Sequence, residues 1–472
     1  TMLDKPLPPP DLIIQDELHL IAGPLGTIAG LYETALEALC LREMDGFTIK
    51  PKIVASTATA KQAQAQVQAL FGRPQTALFP PAGPSRRDSF FAQTLSKEEV
   101  PARQYLAVPV QGRAARLIMQ RIWLAFLCAA TKAYVQAGGD KNEKNPADAY
   151  MTIMGYFNSL KELGSARRVL EETVKSFAGR YSTRRRVGEK DSLFFDRKWM
   201  KEVVELTSRV PTDKVADAKR RLDTKYFEKD SRVDCAIATN MISVGLDITR
   251  LGVMVVQGQP KTNSEYIQAT SRVGRDEDLG PGLVVTILNS YRPRDRSHYE
   301  KFRHYHETFY RSVEVASVTP FSARALDRSL AGAVVTLARH AIPEMTPAKG
   351  AQELPKQKAK LREQLIEAFR TRAESQPLPP EEKQELLLSI QDRISSLLDS
   401  WENVLDYYQS EGIDVQYQKY EKTEPKPLLR EMLDTDFENE DHRKFRVNRS
   451  MRGVEPSVKL ILKPLSWNRE EE

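Results

Sequence analysis

Residues 11–21 read DLIIQDELHLI: a short apolar run, one glutamine, two adjacent carboxylates at Asp16 and Glu17, and a histidine at His19. The run follows the stiff PLPPP and is the length of a strand buried in a parallel sheet, which places the acids at its carboxyl end. Ligands of open α/β sheets bind at that edge. Asp16 is expected to hold a hydrated magnesium ion, which takes one or two carboxylates together with phosphate oxygens. Glu17 is expected to polarise a water aimed at a γ-phosphate. Taken alone, adjacent acids at a strand end also suit a solvated loop, so the rest of the chain must decide.

Three further stretches supply the company. KIVASTATA (52–60) is a second apolar strand ending in hydroxyl residues, with Thr57 and Thr59 able to hydrogen-bond the carboxylates and relay nucleotide state. VDCAIATNMISVGLDI (233–248) gives a strand ending near Thr239, a turn, and a loop with Gly245 and Asp247 whose backbone can approach a ligand. YIQATSRVGRDED (266–278) carries Gln268, Arg272 and Arg275. The two arginines are three residues apart, so a helix would place them on one face, converging on one phosphate group.

DELH, STAT, ATNMISVGLDI and QATSRVGR, in that order, resemble motifs II, III, V and VI of superfamily-two DExH helicases. The resemblance implies that Asp16 binds Mg2+ and Glu17 activates the attacking water. It also implies that Arg272 and Arg275 contact the γ-phosphate of ATP from a second lobe. Gln268, Gly245 and Asp247 would line the nucleotide, and His19, Thr57, Thr59 and Thr239 would couple its state to the rest of the motor. Longer stretches, among them LFPPAGPSRRDSFFA (78–92), GYFNSLKELG (155–164), 298–333 and FRVNRSMRGVE (445–455), resemble the DrmA family, the helicase component of DISARM antiphage systems. Partners implied by that family are DNA and a second DISARM subunit, DrmB. Two departures stand out. Ser271 replaces the usual glycine before the first motif VI arginine, and no G-x-x-x-x-G-K-[ST] phosphate loop occurs. GPLGTIAG (23–30) has no lysine and follows motif II. With fifteen residues before Asp16 and Thr1 at the start, the chain is expected to be the carboxyl-terminal portion of a larger polypeptide. The remainder would carry motif I, and the chain would be inactive as an ATPase by itself.

The expected fold is α/β: tandem RecA-like helicase lobes, the first incomplete, followed by a mostly helical carboxyl-terminal region. The first-lobe portion spans 1–100, a connecting helical segment 101–147, the second lobe 148–320 and the helical region 321–472. Helical spacing of apolar residues over 113–137 predicts a long packed helix. AYMTIMGYF (149–157) and GLVVTILNS (282–290) predict strands. Leu387, Ile390, Ile394, Leu397, Leu398, Trp401, Leu405 and Tyr408 form one stripe on a late helix, suited to internal packing or to a partner.

Composition bounds the class. With 472 residues, 41% hydrophobic content and no apolar run of about eighteen residues, a soluble cytoplasmic protein with no membrane partner is expected. Cys40, Cys128 and Cys235 lie far apart in apolar settings and are expected to be buried free thiols. A net charge of +6 allows local nucleic-acid patches without demanding them. Arg184, Arg185 and Arg186 form one candidate patch. Arg292, Arg294 and Arg296, interleaved with aromatics, form another, although Phe302, Tyr305 and Phe309 at helical spacing also fit a core-facing stripe. The resemblance to the DrmA family implies part of an ATP-dependent DNA helicase or translocase. The same motor on RNA, or a scaffold that only binds a partner, are the competing readings.

Overall fold

The computed structural model describes residues 8–57, 63–81, 83–85, 88–96, 98–100, 102–185, 187–207, 209–239, 248–314, 317–419, 425–432 and 434–448. Two units emerge: Thr1–Phe79 with Val315–Glu472, and Pro80–Glu314.

In the first unit, β1 (Leu12–Gln15) is the strand anticipated from DLII, but it is exposed rather than buried, with Ile14 72% exposed. α1 (Gly23–Cys40) follows, and its glycine-rich start serves close packing. A Cβ at Gly30 would sit 2.5 Å from Pro320 Cγ, so a side chain there would push away the segment that leads to the carboxyl-terminal helices. β2 (Arg42–Met44) and β3 (Phe47–Ile49) form an antiparallel hairpin, closed by Asp45 and Gly46 at φ 53° and 76°. Two positive φ values in a two-residue turn match the right-handed twist of the flanking strands. β4 (Lys52–Ala55) then pairs parallel with β1, in register from Leu12↔Lys52 to Gln15↔Ala55, and α2 (Ala63–Phe71) follows.

The second unit is built on six strands. β5 (Gln104–Val110) leads into α3 (Ala115–Gln136), the long helix expected over 113–137. β6 (Ile153–Phe157) runs into α4 (Leu160–Arg168), a π-helical segment (Val169–Val174) and α5 (Lys175–Ala178). β7 (Val204–Leu206), α6 (Thr212–Asp223), β8 (Cys235–Ala238), β9 (Val253–Gln257) and α7 (Asn263–Thr270) come next. β10 (Leu283–Asn289), α8 (Pro293–Glu300) and α9 (Phe302–Glu307) complete it. The order is β5-β10-β9-β6-β8-β7, every pairing parallel.

Apolar runs rather than alternation mark these strands because both faces are covered. Met154, Tyr156, Ala236 and Met254 enter one core with Tyr266 of α7, while Ile153, Phe157, Cys235 and Val253 enter the other with Trp123 and Leu127 of α3. β5 and α3, expected in a connecting segment, are thus an edge strand and a covering helix of this sheet. All three cysteines are buried free thiols, and burial pushes Cys128 up to about 11.

Polar residues pin the amino ends of the strands. Arg197 and Asp234 are each 3% exposed; Arg197 Nη2 lies 2.6 Å from Asp234 Oδ1 and also donates to the Met151 carbonyl at 2.6 Å. Tyr226 donates its hydroxyl to the same Asp234 oxygen at 2.9 Å. Beside them Arg250 Nη1 meets Asp148 Oδ2 at 3.0 Å, again buried.

The chain then returns to the first unit with α10 (Ala323–Ala341), α11 (Leu354–Glu374) and α12 (Pro380–Ser410). Ile390, Ile394, Leu398, Trp401 and Tyr408 of the expected stripe are buried in a core that also takes Leu31 and Ala35 of α1. Arg372 of α11 is buried and donates to the Leu70 carbonyl at the end of α2. The helical region therefore packs with the strands and helices around DELH in one unit. Among the described residues, no helix is long and apolar enough to cross a membrane.

Removing one partner of a buried ion pair strands the other charge in low dielectric, at a cost of about 3–5 kcal/mol. Arg197→Met is accordingly expected to lower the unfolding free energy of the second unit by that amount, read from urea unfolding, whereas Arg220→Met, on an exposed pair, is expected to leave it unchanged.

Candidate functional site

Parallel pairing of β1 with β4 carries the chain ends of both strands to the same edge. The residues one step past Gln15↔Ala55 are Asp16 and Ser56, and the Ser56 hydroxyl donates to Asp16 Oδ1. The Glu17 amide reaches the same oxygen at 2.8 Å. Glu17 achieves this at φ 53°, a left-handed conformation that costs a non-glycine residue roughly 1–2 kcal/mol. Leu18 N then bonds the Ser56 carbonyl at 2.8 Å and locks the turn. Ser56, then the Glu17 amide, hold the Asp16 carboxyl below its usual value, with a smaller contribution from His19 against a slight desolvation penalty. The group is an exposed, ionised carboxylate whose described hydrogen bonds both arrive at Oδ1. That donor chemistry fits a hard divalent cation.

His19 sits beside the acids. Its Nδ1 is 3.4 Å from Glu17 Oε2 and 3.3 Å from Thr57 Oγ1, with the ring side chain 6% exposed. His19 and Thr57, both expected to couple nucleotide state, are in contact. Thr59, Gly245, Asp247 and Arg186 lie outside the described residues. Ser56 was not singled out from the sequence, although the strand register alone would have placed it opposite Asp16.

In the second unit, α7 opens on Thr262, whose side chain accepts from Glu265 N, and Tyr156 donates its hydroxyl to Glu265. Gln268 is buried on this helix and bonds Ser264 Oγ at 3.1 Å. The expectation that Arg272 and Arg275 share a helix face is corrected here, because α7 ends at Thr270 and both arginines lie in the turn beyond. Gly274 dictates that turn. Its φ is 65°, and a Cβ would sit 2.3 Å from Gly282 N, backbone against backbone. Arg103, on the loop before β5, fastens the turn by donating from Nε to the Val273 carbonyl at 2.9 Å. Arg275 Nε donates to the Ser271 carbonyl at 3.0 Å. Thr239 is buried directly after β8.

The carboxyl ends of β6, β9 and β10 are gathered by two groups that the sequence did not flag. Asn158 Nδ2 donates to the Gln257 carbonyl at 3.1 Å, and Asp295, 1% exposed, accepts from Gln259 N at 3.2 Å and Asn289 N at 3.0 Å. Arg292, Arg294 and Arg296 lie exposed at the start of α8, just past β10. Arg292 pairs with Glu162 at 3.2 Å and Arg296 with Glu300 at 2.8 Å. Arg184 and Arg185 belong to the opposite edge. Ser182 N bonds Asp196, and the next residue, Arg197, binds Asp234 at the amino end of β8. Tyr305 and Phe309 of the expected stripe pack with Tyr105, Tyr266 and His306 and are core, while Phe302 is only partly buried beside His306; burial lowers the His306 pKa.

Residues 181–277 match the helicase conserved C-terminal domain. Over 341 residues the chain is 44% identical to the DISARM protein DrmA of Bacillus paralicheniformis, covering 72% of this chain and 29% of that protein. The chain thus spans less than a third of this relative's length. Among solved structures it is similar to the DUF1998 helicase MrfA bound to DNA (17% identity, TM-score 0.43, 70% of this chain and 35% of that one). It is also similar to Mycobacterium smegmatis Lhr bound to single-stranded DNA and AMP-PNP (16% identity, TM-score 0.46, 79% and 38%). The sequence relation to DrmA and the helicase domain match agree with the superfamily-two helicase motifs read above, and the second unit is a RecA-like α/β lobe.

Removing the Ser56 hydroxyl from the Asp16 carboxylate should release its titration. Ser56→Ala is expected to raise the Asp16 pKa toward the ordinary carboxylate value, followed by carbon-13 NMR of the side chain. Because the pKa is depressed in the folded protein, the carboxylate's contacts are present at neutral pH and are lost as pH falls through the folded value. The variant should lose them at a higher pH than the wild type.

Proposed function

We propose that this chain, which resembles the DrmA-type superfamily-two helicases, forms part of an ATP-dependent DNA helicase or translocase serving DISARM-type antiphage defence in the cytoplasm. One observation carries the reading: 44% identity over 341 residues to a DISARM protein.

In the proposed chemistry Asp16 holds Mg2+, which when bound neutralises phosphate charge. Glu17 orients the attacking water, since its left-handed turn keeps its backbone on Asp16 while its side chain stays close to His19. Arg272 and Arg275 stabilise charge on the γ-phosphate oxygens of ATP, where a planar guanidinium can donate two hydrogen bonds at once. Gln268, Gly245 and Asp247 are assigned to nucleotide binding. His19, Thr57, Thr59 and Thr239 are assigned to coupling, and the contact between His19 and Thr57 supports it. Arg292, Arg294 and Arg296 are assigned to the DNA backbone, with Arg184, Arg185 and Arg186 as a separate patch.

The phosphate loop is proposed to come from the remainder of the polypeptide. β1 and β4 leave Leu12, Ile14 and Val54 exposed at 48%, 72% and 46%. Apolar side chains of that size on a parallel sheet call for further strands and a covering layer. DrmB is the proposed protein partner of the assembled motor.

The longest natural polypeptide is expected to hydrolyse ATP faster with DNA strands than with RNA strands, and the 472-residue chain alone is expected to be inactive. Arg275→Ala in the longer protein should lower kcat on the order of 10^3-fold. Stimulation by RNA alone would favour the RNA motor, and absence of turnover in the longer protein would favour a scaffold.

A further inference from the structure

We infer that Arg103, the residue immediately before β5, is a positioning residue for ATP hydrolysis: its guanidinium fixes the backbone on both sides of Arg272 and so sets where the arginine turn meets the γ-phosphate. This rests on the assignment of Arg272 and Arg275 to that phosphate, proposed above. Arg103 Nε donates to the Val273 carbonyl at 2.9 Å, and its Nη2 makes a longer contact to the Ser271 carbonyl at 3.5 Å. The two acceptors lie one on each side of Arg272 in the chain. Arg275 Nε donates to the same Ser271 carbonyl at 3.0 Å, so two guanidinium groups meet on one oxygen. Gln104 N bonds the Gly282 carbonyl at 2.8 Å, and the Tyr105 hydroxyl lies 3.4 Å from Thr270 Oγ1. Residues 103–105 therefore touch the turn at its start, at its middle and at the Gly282 backbone packed against it.

Stability alone does not account for an arginine here. The turn is already closed by the buried Val273 side chain, by Gly274 N on the Leu251 carbonyl at 2.7 Å and by the close approach of Gly274 to Gly282. Both described bonds of Arg103 go to carbonyls, and its charge sits against the like charge of Arg275. Like charges repel, and a neutral side chain such as glutamine can donate to a carbonyl without that cost. The arrangement becomes favourable when an anion arrives. Donors and charges fixed in advance need no reorganisation as charge builds on a transferring phosphoryl group. A planar guanidinium suits the task, since its rigid fork of donors spans two acceptors, whereas an ammonium on a flexible stem fixes neither. Arg103 lies outside the helicase motifs read from the sequence, and its effect passes through the turn rather than through contact with the nucleotide.

A double-mutant cycle of Arg103→Met and Arg275→Ala, read as ATP turnover with DNA by the longest natural polypeptide, tests this. Arg103→Met should lower kcat about 10- to 100-fold, the cost of a misplaced but intact catalytic group, and leave KM for ATP unchanged. In the Arg275→Ala background the same substitution should cost a smaller factor, because the two residues act as one unit. Arg103→Lys keeps the charge and one donor and should recover part of kcat; the cycle is read on it should the methionine variant unfold at a lower urea concentration. Wild-type kcat in both Arg103 variants, or the same factor lost in both backgrounds, would overturn the inference and leave Arg103 a packing residue. Wild-type kcat in Arg275→Ala, or no ATP turnover by the longest polypeptide, would overturn instead the γ-phosphate reading on which it rests.

Discussion

Parallel strand pairing is the constraint on which the site depends. An antiparallel pair sends successive strand ends to opposite edges, whereas a parallel pair delivers both carboxyl ends to one edge. Gln15↔Ala55 is the last paired position of β1 and β4, so the next residues, Asp16 and Ser56, are neighbours by geometry before any side-chain preference acts. Their hydrogen bond, the Glu17 amide and the left-handed turn at Glu17 follow from that placement. The six-stranded sheet obeys the same rule. Thr239, the Gln257–Gln259 turn and Asn289 arrive at one edge, where Asn158 and Asp295 hold the latter two, while Arg197 and Asp234 occupy the other.

Backbone proximity does for the arginine turn what register does for the acids. Gly274 and Gly282 approach more closely than any side chain allows, and that contact is reinforced by Arg103 from a loop some 170 residues away in sequence. Arg272 and Arg275 are thereby held on a defined turn instead of a helix. A chemistry that needs guanidinium groups at fixed positions gains from this, because a turn bonded on both sides has less freedom than the frayed end of a short helix.

Much of the fold was legible in local pattern. DLII, KIVA, CAIA and LVVTILN are strands in the structure, and the 113–137 periodicity is α3. What escaped depends on distant partners or on turn chemistry. The β2–β3 hairpin is announced by Asp45 and Gly46 between short, mostly exposed strands that lack a strong apolar run. The grouping of α1 with α10, α11 and α12 reflects packing across about 300 residues of sequence, which no local pattern encodes. In the site, Asp16, Glu17 and His19 were readable because they are contiguous. Ser56, Arg103, Asn158 and Asp295 were not, because each acts through a tertiary hydrogen bond. The helix expected through Arg272 and Arg275 fails at Thr270, where the backbone contact at Gly274 outweighs helical propensity.

The central claim is that the strand-end carboxylate of Asp16 holds the divalent cation of a nucleotide-driven motor. Electron paramagnetic resonance of Mn2+ with a non-hydrolysable ATP analogue, in the longest natural polypeptide and its Asp16→Asn variant, tests it most directly. Loss of nucleotide-dependent Mn2+ binding by at least about tenfold, with the circular dichroism spectrum unchanged, is the predicted result. Equal nucleotide-dependent Mn2+ affinity in the two proteins would contradict the account.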